Sequence, residues 1–290
     1  MLPFAIITDS GCDIAPDVLA RWNVRCAYLS FKFTDEDTVY LNNEMPIADF
    51  YKAMREGRQA KTSGVNSETF RLMMEEELQA GRDVLYLGLT SGISNTFNAG
   101  RLAAEQLREA FPERNIFAVD PLSASAGLGM WLYIAVEMRE KGATIEEVAQ
   151  YIEENRLSMC HWFTVDDLVY LKRGGRVSAA AALVGGVLGI KPVMHVDNDG
   201  RLAGVSKVRG RRAALRALAE RYAAMAKDKE NGLMYISHGD CHADVETLIA
   251  DVQALTGRTR GADYIADVGP VIGSHSGPGT ISIFFLGCER

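Results

Sequence analysis

Short apolar runs alternate with segments of helical period through the first half of the chain. The runs at 4–8, 24–33, 84–89 and 115–119 are flanked by polar or turn-forming residues and read as strands. Around them, apolar positions recurring at three- and four-residue spacing predict helices over 16–22, 46–56, 67–78, 95–110, 125–141 and 144–155. Strand and helix in such alternation predict a parallel, doubly wound sheet.

The pattern changes near residue 158. Strands are expected over 159–165, 191–196, 202–208, 233–237, 264–267 and 280–286, with helices over 211–226 and 243–255. Asp197-Asn198-Asp199-Gly200 joins two of these strands and has the composition of a hairpin turn. The expected fold class is therefore α/β in two domains. Residues 1–158 would form the mostly parallel sheet, and residues 159–290 a mixed or antiparallel sheet with flanking helices. No internal repeat or low-complexity segment interrupts either part.

Length and composition fit this picture. The chain has 290 residues, 48% of them hydrophobic, enough for a sizeable core and about two domains. A net charge of -7 argues against nucleic acid or an anionic membrane as a standing partner. No apolar run reaches the length of a membrane span, so membrane contact would be transient at most. The start carries no basic-then-apolar leader, and the five cysteines are odd in number with no CxxC pair. The expected compartment is the cytoplasm, without a disulfide framework.

Candidate chemistry gathers at strand ends, where open α/β sheets place their ligands. Thr8-Asp9-Ser10, the run from Thr90 to Thr96, and Asp120-Pro121-Leu122-Ser123 end three strands, and Thr62-Ser63-Gly64 precedes a helix. The crevice is thus rich in hydroxyls and short of cations, which suits an anionic group such as a carboxylate at a helix N-terminus. Thr62, Ser94 and Asn95 are equally the residue types that cap helices. The second half holds two basic clusters: Leu171 to Ser178, with Lys172, Arg173 and Arg176 around a glycine pair, and Lys207 to Arg212, which includes Arg209. Glycine amides, guanidinium forks and a helix starting at Ser178 would make a phosphate cradle; a solvated loop has the same composition.

The stretch from Val268 to Gly279 carries four glycines and two prolines around a single imidazole, His275. That density predicts an irregular backbone built to fix the imidazole in place, or a tight loop that merely caps a strand. His238-Gly239-Asp240-Cys241-His242 mixes metal-ligand types but lacks the spacing of a zinc motif. Gly88-Leu89-Thr90-Ser91-Gly92 carries Thr where a hydrolase elbow needs its nucleophile. No P-loop or dinucleotide fingerprint follows a strand, and Gly127-Leu128-Gly129 lies inside a helical pattern.

Taken in order, Ile7-Thr8-Asp9-Ser10, Lys61-Thr62-Ser63, the run from Thr90 to Phe97, Tyr170 to Ser178, Gly189-Ile190-Lys191-Pro192 and the loop from Gly269 to Gly279 resemble the DegV family. These are bacterial fatty-acid-binding proteins that supply the acyl-binding subunit of fatty acid kinase, and the likeness spans nearly the whole chain. It implies a non-catalytic carrier with no cofactor, holding a long-chain fatty acid such as palmitate or oleate between two domains. It implies a carboxylate held by Thr62 and Ser94 with His275 nearby, and Ser63 and Asn95 join that candidate set. It further implies a kinase catalytic subunit as partner, with Arg173 and Arg176, and Arg209 beside them, facing the phosphate or the kinase. Asn95 stands where the family commonly has Gly, and Gly64-Val65-Asn66 where it often has Gln-Pro-Ser. The rival readings are a stand-alone acyl hydrolase or transferase using His275 and a serine, and a metal enzyme centred on His238 and His242. Buried without a cation, a carboxylate would need several hydrogen bonds or a raised pKa.

Overall fold

The computed structural model describes residues 3–176 and 189–290. The helix expected from Ser178, with Val177, lies outside them.

The first sheet joins β1 (Phe4–Asp9), β2 (Val24–Ala27), β6 (Asp83–Leu87) and β7 (Ile116–Val119) in the order β2-β1-β6-β7, all parallel. Every residue of β1 is buried, as a strand covered on both faces requires. Among the helices of this half are α1 (Pro16–Arg21), α3 (Ser67–Gln79), α4 (Thr96–Ala110), α5 (Ala126–Glu140) and α6 (Ile145–Asn155), with α3 packed on α4 and α5 on α6. The chain leaves β1 towards β2 on one side and β6 towards β7 on the other, so the crevice opens beyond the ends of β1 and β6. Asp9 marks the point. Its carboxyl accepts from the amides of Gly11 and Leu89 and from the Tyr86 hydroxyl.

The expected strand over 24–33 is two strands in different sheets. β3 (Ser30–Phe33) turns away after Leu29 and pairs with β4 (Tyr40–Leu41) and β5 (Ala60–Ser63) in a small antiparallel sheet. The Leu29 amide donates to Ser10 Oγ, which fixes the break. Against this sheet lies α2 (Ile47–Arg55), whose Phe50 meets Phe31 edge-on with ring centres 5.3 Å apart.

The second sheet contains β8 (Met159–Thr164), β9 (Ile190–Val196), β10 (Leu202–Arg209), β11 (Met234–His238), β12 (Tyr264–Asp267) and β13 (Ile281–Leu286), in the order β10-β9-β8-β13-β11-β12. Only β11 and β12 run parallel; the other pairs are antiparallel. Alternation along the strands sorts its two faces. Cys160, Trp162, Ile281, Ile283 and Phe285 pack under α8 (Arg211–Met225) and α9 (His242–Thr256). His161, Phe163, Ser282 and Phe284 point the other way, towards the first half of the chain.

Between the two large sheets runs α5, apolar on all sides through its first eleven residues, 126–136, as an enclosed helix segment must be. Its Gly127 and Gly129 are packing positions. A Cβ at Gly129 would press into the Ile14 side chain, and one at Gly127 into His161 and Phe284. The core around α5 is therefore continuous with Tyr235 and Phe284 of the second sheet.

Two further helices differ from the expected pattern. Val169–Arg173, here α7, is helical where a basic loop was expected. The glycine- and proline-rich stretch near the C-terminus is not irregular: Pro270–Ser276 is a helix, α10, with Pro270 in its first turn and Gly277 ending it at φ 80°. Pro at the start and Gly just past the end are the ordinary punctuation of a helix.

Candidate functional site

A cavity of about 770 Å³ lies between the two large sheets, a size within the range of small-molecule sites. Leu29, Leu89, Ile93 and Ala124 line it from the first half, and Phe163, Val196 and Phe284 from the second. Polar groups collect where the end of β5, the start of α4 and α10 meet.

Thr62 sits on β5 opposite Phe31 and shares its face of the small sheet, at the border of the aromatic core. Its Oγ1 lies 2.8 Å from His275 Nε2. Thr62 is thus a strand residue; the cap of α3 is Asn66, whose side chain accepts from the Thr69 amide. Ser94 Oγ accepts from the Thr96 amide at 3.1 Å and donates to Thr96 Oγ1 at 2.9 Å, so this residue both serves the start of α4 and faces the cavity. Gly64 draws the two clusters together: a Cβ there would stand 2.7 Å from Thr96 Oγ1. Thr96, buried and lining the cavity, is a site residue that the pattern reading did not single out. Ser63 and Asn95 are exposed and also border the cavity, Asn95 while accepting from the Asn98 amide group.

His275 is held on its other side by α7. A Cβ on Gly174 would collide with His275 Nδ1, so the first glycine of the basic segment is the floor beneath the imidazole. Burial, and then the nearby Arg176 charge, push His275 down to about 4. The ring is therefore neutral near pH 7. Nδ1 has no hydrogen-bond partner among the described residues, so the proton belongs on Nε2, donated to Thr62 Oγ1. This tautomer leaves the Thr62 hydroxyl hydrogen free for an acceptor in the cavity.

The three arginines separate. Arg176 lines the cavity, bonding the Ile93 carbonyl at 3.2 Å and the Gly174 carbonyl at 2.5 Å. With Arg101 of α4, each half of the chain thus brings one guanidinium to the cavity lining, against the expectation of a crevice short of cations. Arg173 on α7 and Arg209 on β10 are exposed and do not line the cavity.

Many hydroxyls at strand ends belong to the fold. Thr8 donates to the Leu87 carbonyl, Thr90 to Gly200 of the β9–β10 turn, and Ser123 to Pro121. Asp13, which no pattern marked, accepts from Ser125 Oγ at 2.6 Å and from the Gly269 amide at 3.0 Å, tying α5 to the start of α10. Burial pushes Asp9 up to about 6 and Asp13 up to about 7. His161, on the inner face of β8, points Nδ1 at the Met159 carbonyl at 3.0 Å and is held neutral by burial.

Among the described residues neither enzyme reading finds its parts. His275 has Thr62 rather than a serine on one nitrogen and no partner among these residues on the other. His238 and His242 meet edge to face with ring centres 5.4 Å apart, and His238 Nε2 lies 3.5 Å from Asp267. No cluster of three metal-ligating side chains occurs among the described residues.

Comparison with known proteins follows the same lines. The family model described as "Uncharacterised protein, DegV family" matches residues 3–287. A DegV domain-containing protein of Clostridium perfringens is 36% identical, covering 99% of this chain and 98% of that relative. A solved DegV family protein of Thermus thermophilus, described for its fatty acid binding, superposes with a TM-score of 0.88 at 29% identity, over 98% of this chain and 99% of that one. A Thermotoga maritima protein described as revealing a fatty acid binding function gives 0.83 at 28% identity, over 99% of this chain and 100% of that one. On the strength of the family match over almost its full length, this chain belongs to the DegV family.

Proposed function

We propose that this protein is a carrier that binds a long-chain fatty acid in the cavity between its sheets. The carboxyl group would lie against Thr62, Ser94 and His275, with Thr96 and Arg176 beside them. The observation that carries this reading is the Thr62–His275 pair at the edge of a mostly apolar cavity. A fatty acid offers methylenes and one carboxyl group, and the site answers each in kind. At about 0.8 kcal/mol per buried CH₂, a sixteen-carbon tail contributes on the order of 10 kcal/mol before ordering costs. The tail supplies affinity and the polar cluster sets direction. Fatty acid binding by the Thermus and Thermotoga relatives supports the same reading.

The carrier is further proposed to present the carboxylate to a separate kinase subunit for acyl phosphate formation. Exposed Arg173 and Arg209 are among the basic groups outside the cavity that would face such a partner or its phosphate. The two sheets would act as two domains meeting at Ser158 and Met159, with the ligand between them.

Mass spectrometry of the purified protein, native and then denatured, tests the carrier reading. A released mass in the range of a long-chain fatty acid is expected. Thr62→Val and Ser94→Val should each weaken uptake of added palmitate or oleate about ten- to a hundredfold, the cost of losing a hydrogen bond to a charged group. Unchanged uptake in both variants would remove these residues from the head-group site, and no uptake by the parent protein would remove the carrier reading itself.

A further inference from the structure

One hydroxyl on the second sheet's side of the cavity belongs to neither the head-group cluster nor the fold's own hydrogen bonds. Ser282 stands on β13, at the middle of the second sheet's inner face, between Thr280 and Phe284 along the strand. It is 8% exposed and lines the cavity. Its hydroxyl has no partner among the described residues. Two hydroxyls beside it are occupied: Thr280 donates to the Gly277 carbonyl, and Ser237, directly opposite on β11, shares a 3.0 Å bond with Ser125. Ser125 in turn donates to Asp13. On β8 the register partner is Phe163, and His161 opposite Phe284 has its Nδ1 on a carbonyl, while its Nε2 is unpaired among the described residues. Ser282 is left as an unpaired hydroxyl beside Phe163 and Phe284, with the already bonded Ser237 opposite.

A plain alkyl chain cannot satisfy it. Left unpaired against methylenes, a buried hydroxyl costs about 1–3 kcal/mol, whereas an oxygen on the ligand turns that cost into a net gain. We propose that Ser282 is a second recognition point of the cavity, which selects acyl chains bearing an oxygen, as a hydroxyl or keto group, part-way along the tail. This rests on the fatty-acid reading above and refines it. The carboxyl is fixed by the Thr62 cluster, so the hydroxyl selects by position: only an oxygen at the right distance along the chain reaches it. Alcohol and keto groups both fit, since Ser282 can donate as well as accept.

The test compares stearic acid with a panel of octadecanoic acids hydroxylated at successive even-numbered carbons, by direct binding to the parent protein and to Ser282→Ala. One positional isomer should bind about three- to tenfold more tightly than its neighbours in the panel, as one added hydrogen bond predicts. Ser282→Ala should abolish that preference while holding stearic acid as well as the parent does, or better. Stearic acid bound with no isomer preferred overturns the proposal and leaves the carrier reading standing. A preference that survives in Ser282→Ala, or equal loss of both acids, also overturns it. Failure of stearic acid itself to bind removes the carrier reading, and this proposal with it.

Discussion

Gly174 and His275 come from motifs far apart in the chain, yet one occupies the space that the other leaves. Gly174 has φ -72°, which any residue adopts, so a substitution there tests volume and nothing else. Gly174→Ala should displace the imidazole from Thr62 and weaken fatty acid uptake about tenfold, the worth of the lost hydrogen bond and its alignment. Thermal stability should fall much less, because the displaced ring lines a cavity instead of filling a core. Isothermal titration with oleate beside a melting curve separates the two effects; unaltered affinity would mean that the imidazole position is immaterial to binding. Hydroxyl-rich runs and an imidazole set among glycines drew attention to the segments of Thr62, Ser94 and His275, and the family resemblance singled these residues out; the structure brings Thr62 and His275 together. Thr96, His161 and Asp13 could not be singled out in this way. Each is an ordinary residue in its own segment and becomes notable only through a neighbour from elsewhere, Gly64, Gly127 and Gly269 respectively.

At the scale of elements, α10 is held by borrowed caps. The Gly269 amide donates to Asp13, and the Val271 amide donates to Asn42 Oδ1 at 2.8 Å, while Asn42 Nδ2 donates to the Ser10 carbonyl at 3.2 Å. These partners come from the first half of the chain, so the helix bearing His275 is anchored across the cavity. Asn42→Ala should lower stability by about 1–2 kcal/mol, as loss of a cap does, and loosen ligand binding with it. Urea unfolding followed by a lipid titration would show both; an unchanged midpoint would mean that packing alone holds the helix. The same helix shows where pattern reading fails. Glycine density suggested an irregular backbone, although Pro270 and Gly277 stand where a short helix needs them. The polar strand β5 escaped notice because Ala-Lys-Thr-Ser offers no apolar alternation beyond its length. The merged strand over 24–33 has an unbroken apolar pattern, and its break is made by the distant Ser10. Long, regular elements such as α4, α5 and β13 were within a residue of their expected ends, since there local pattern and tertiary packing agree.

Across the whole molecule, burial sets carboxyl groups and imidazoles in opposition. Asp13 titrates at about 7 in the folded protein against an ordinary 3.8. Between those values the unfolded chain gives up its proton first, so Asp13 makes stability fall as pH rises, with no further change above about 7. His275, pushed down to about 4, acts the other way: its contribution is complete above 6.5 and is lost as pH falls towards 4. Asp13→Asn removes the first effect alone, since an amide can still accept from Gly269 and donate to Ser125. The stability of the variant relative to the parent should therefore climb from about pH 4 to about pH 7 and then level off, as urea unfolding at stepped pH would measure. A difference that is flat across this range would mean that Asp13 is ionised throughout. The arrangement around α7 has another consequence at this scale. Arg173 faces solvent while the next residue, Gly174, rests on the imidazole that lines the cavity. On the proposed function, a protein resting on that surface would be one peptide unit from the head group, so full and empty states could be told apart from outside. The cavity would carry, in effect, a gauge on its outer wall.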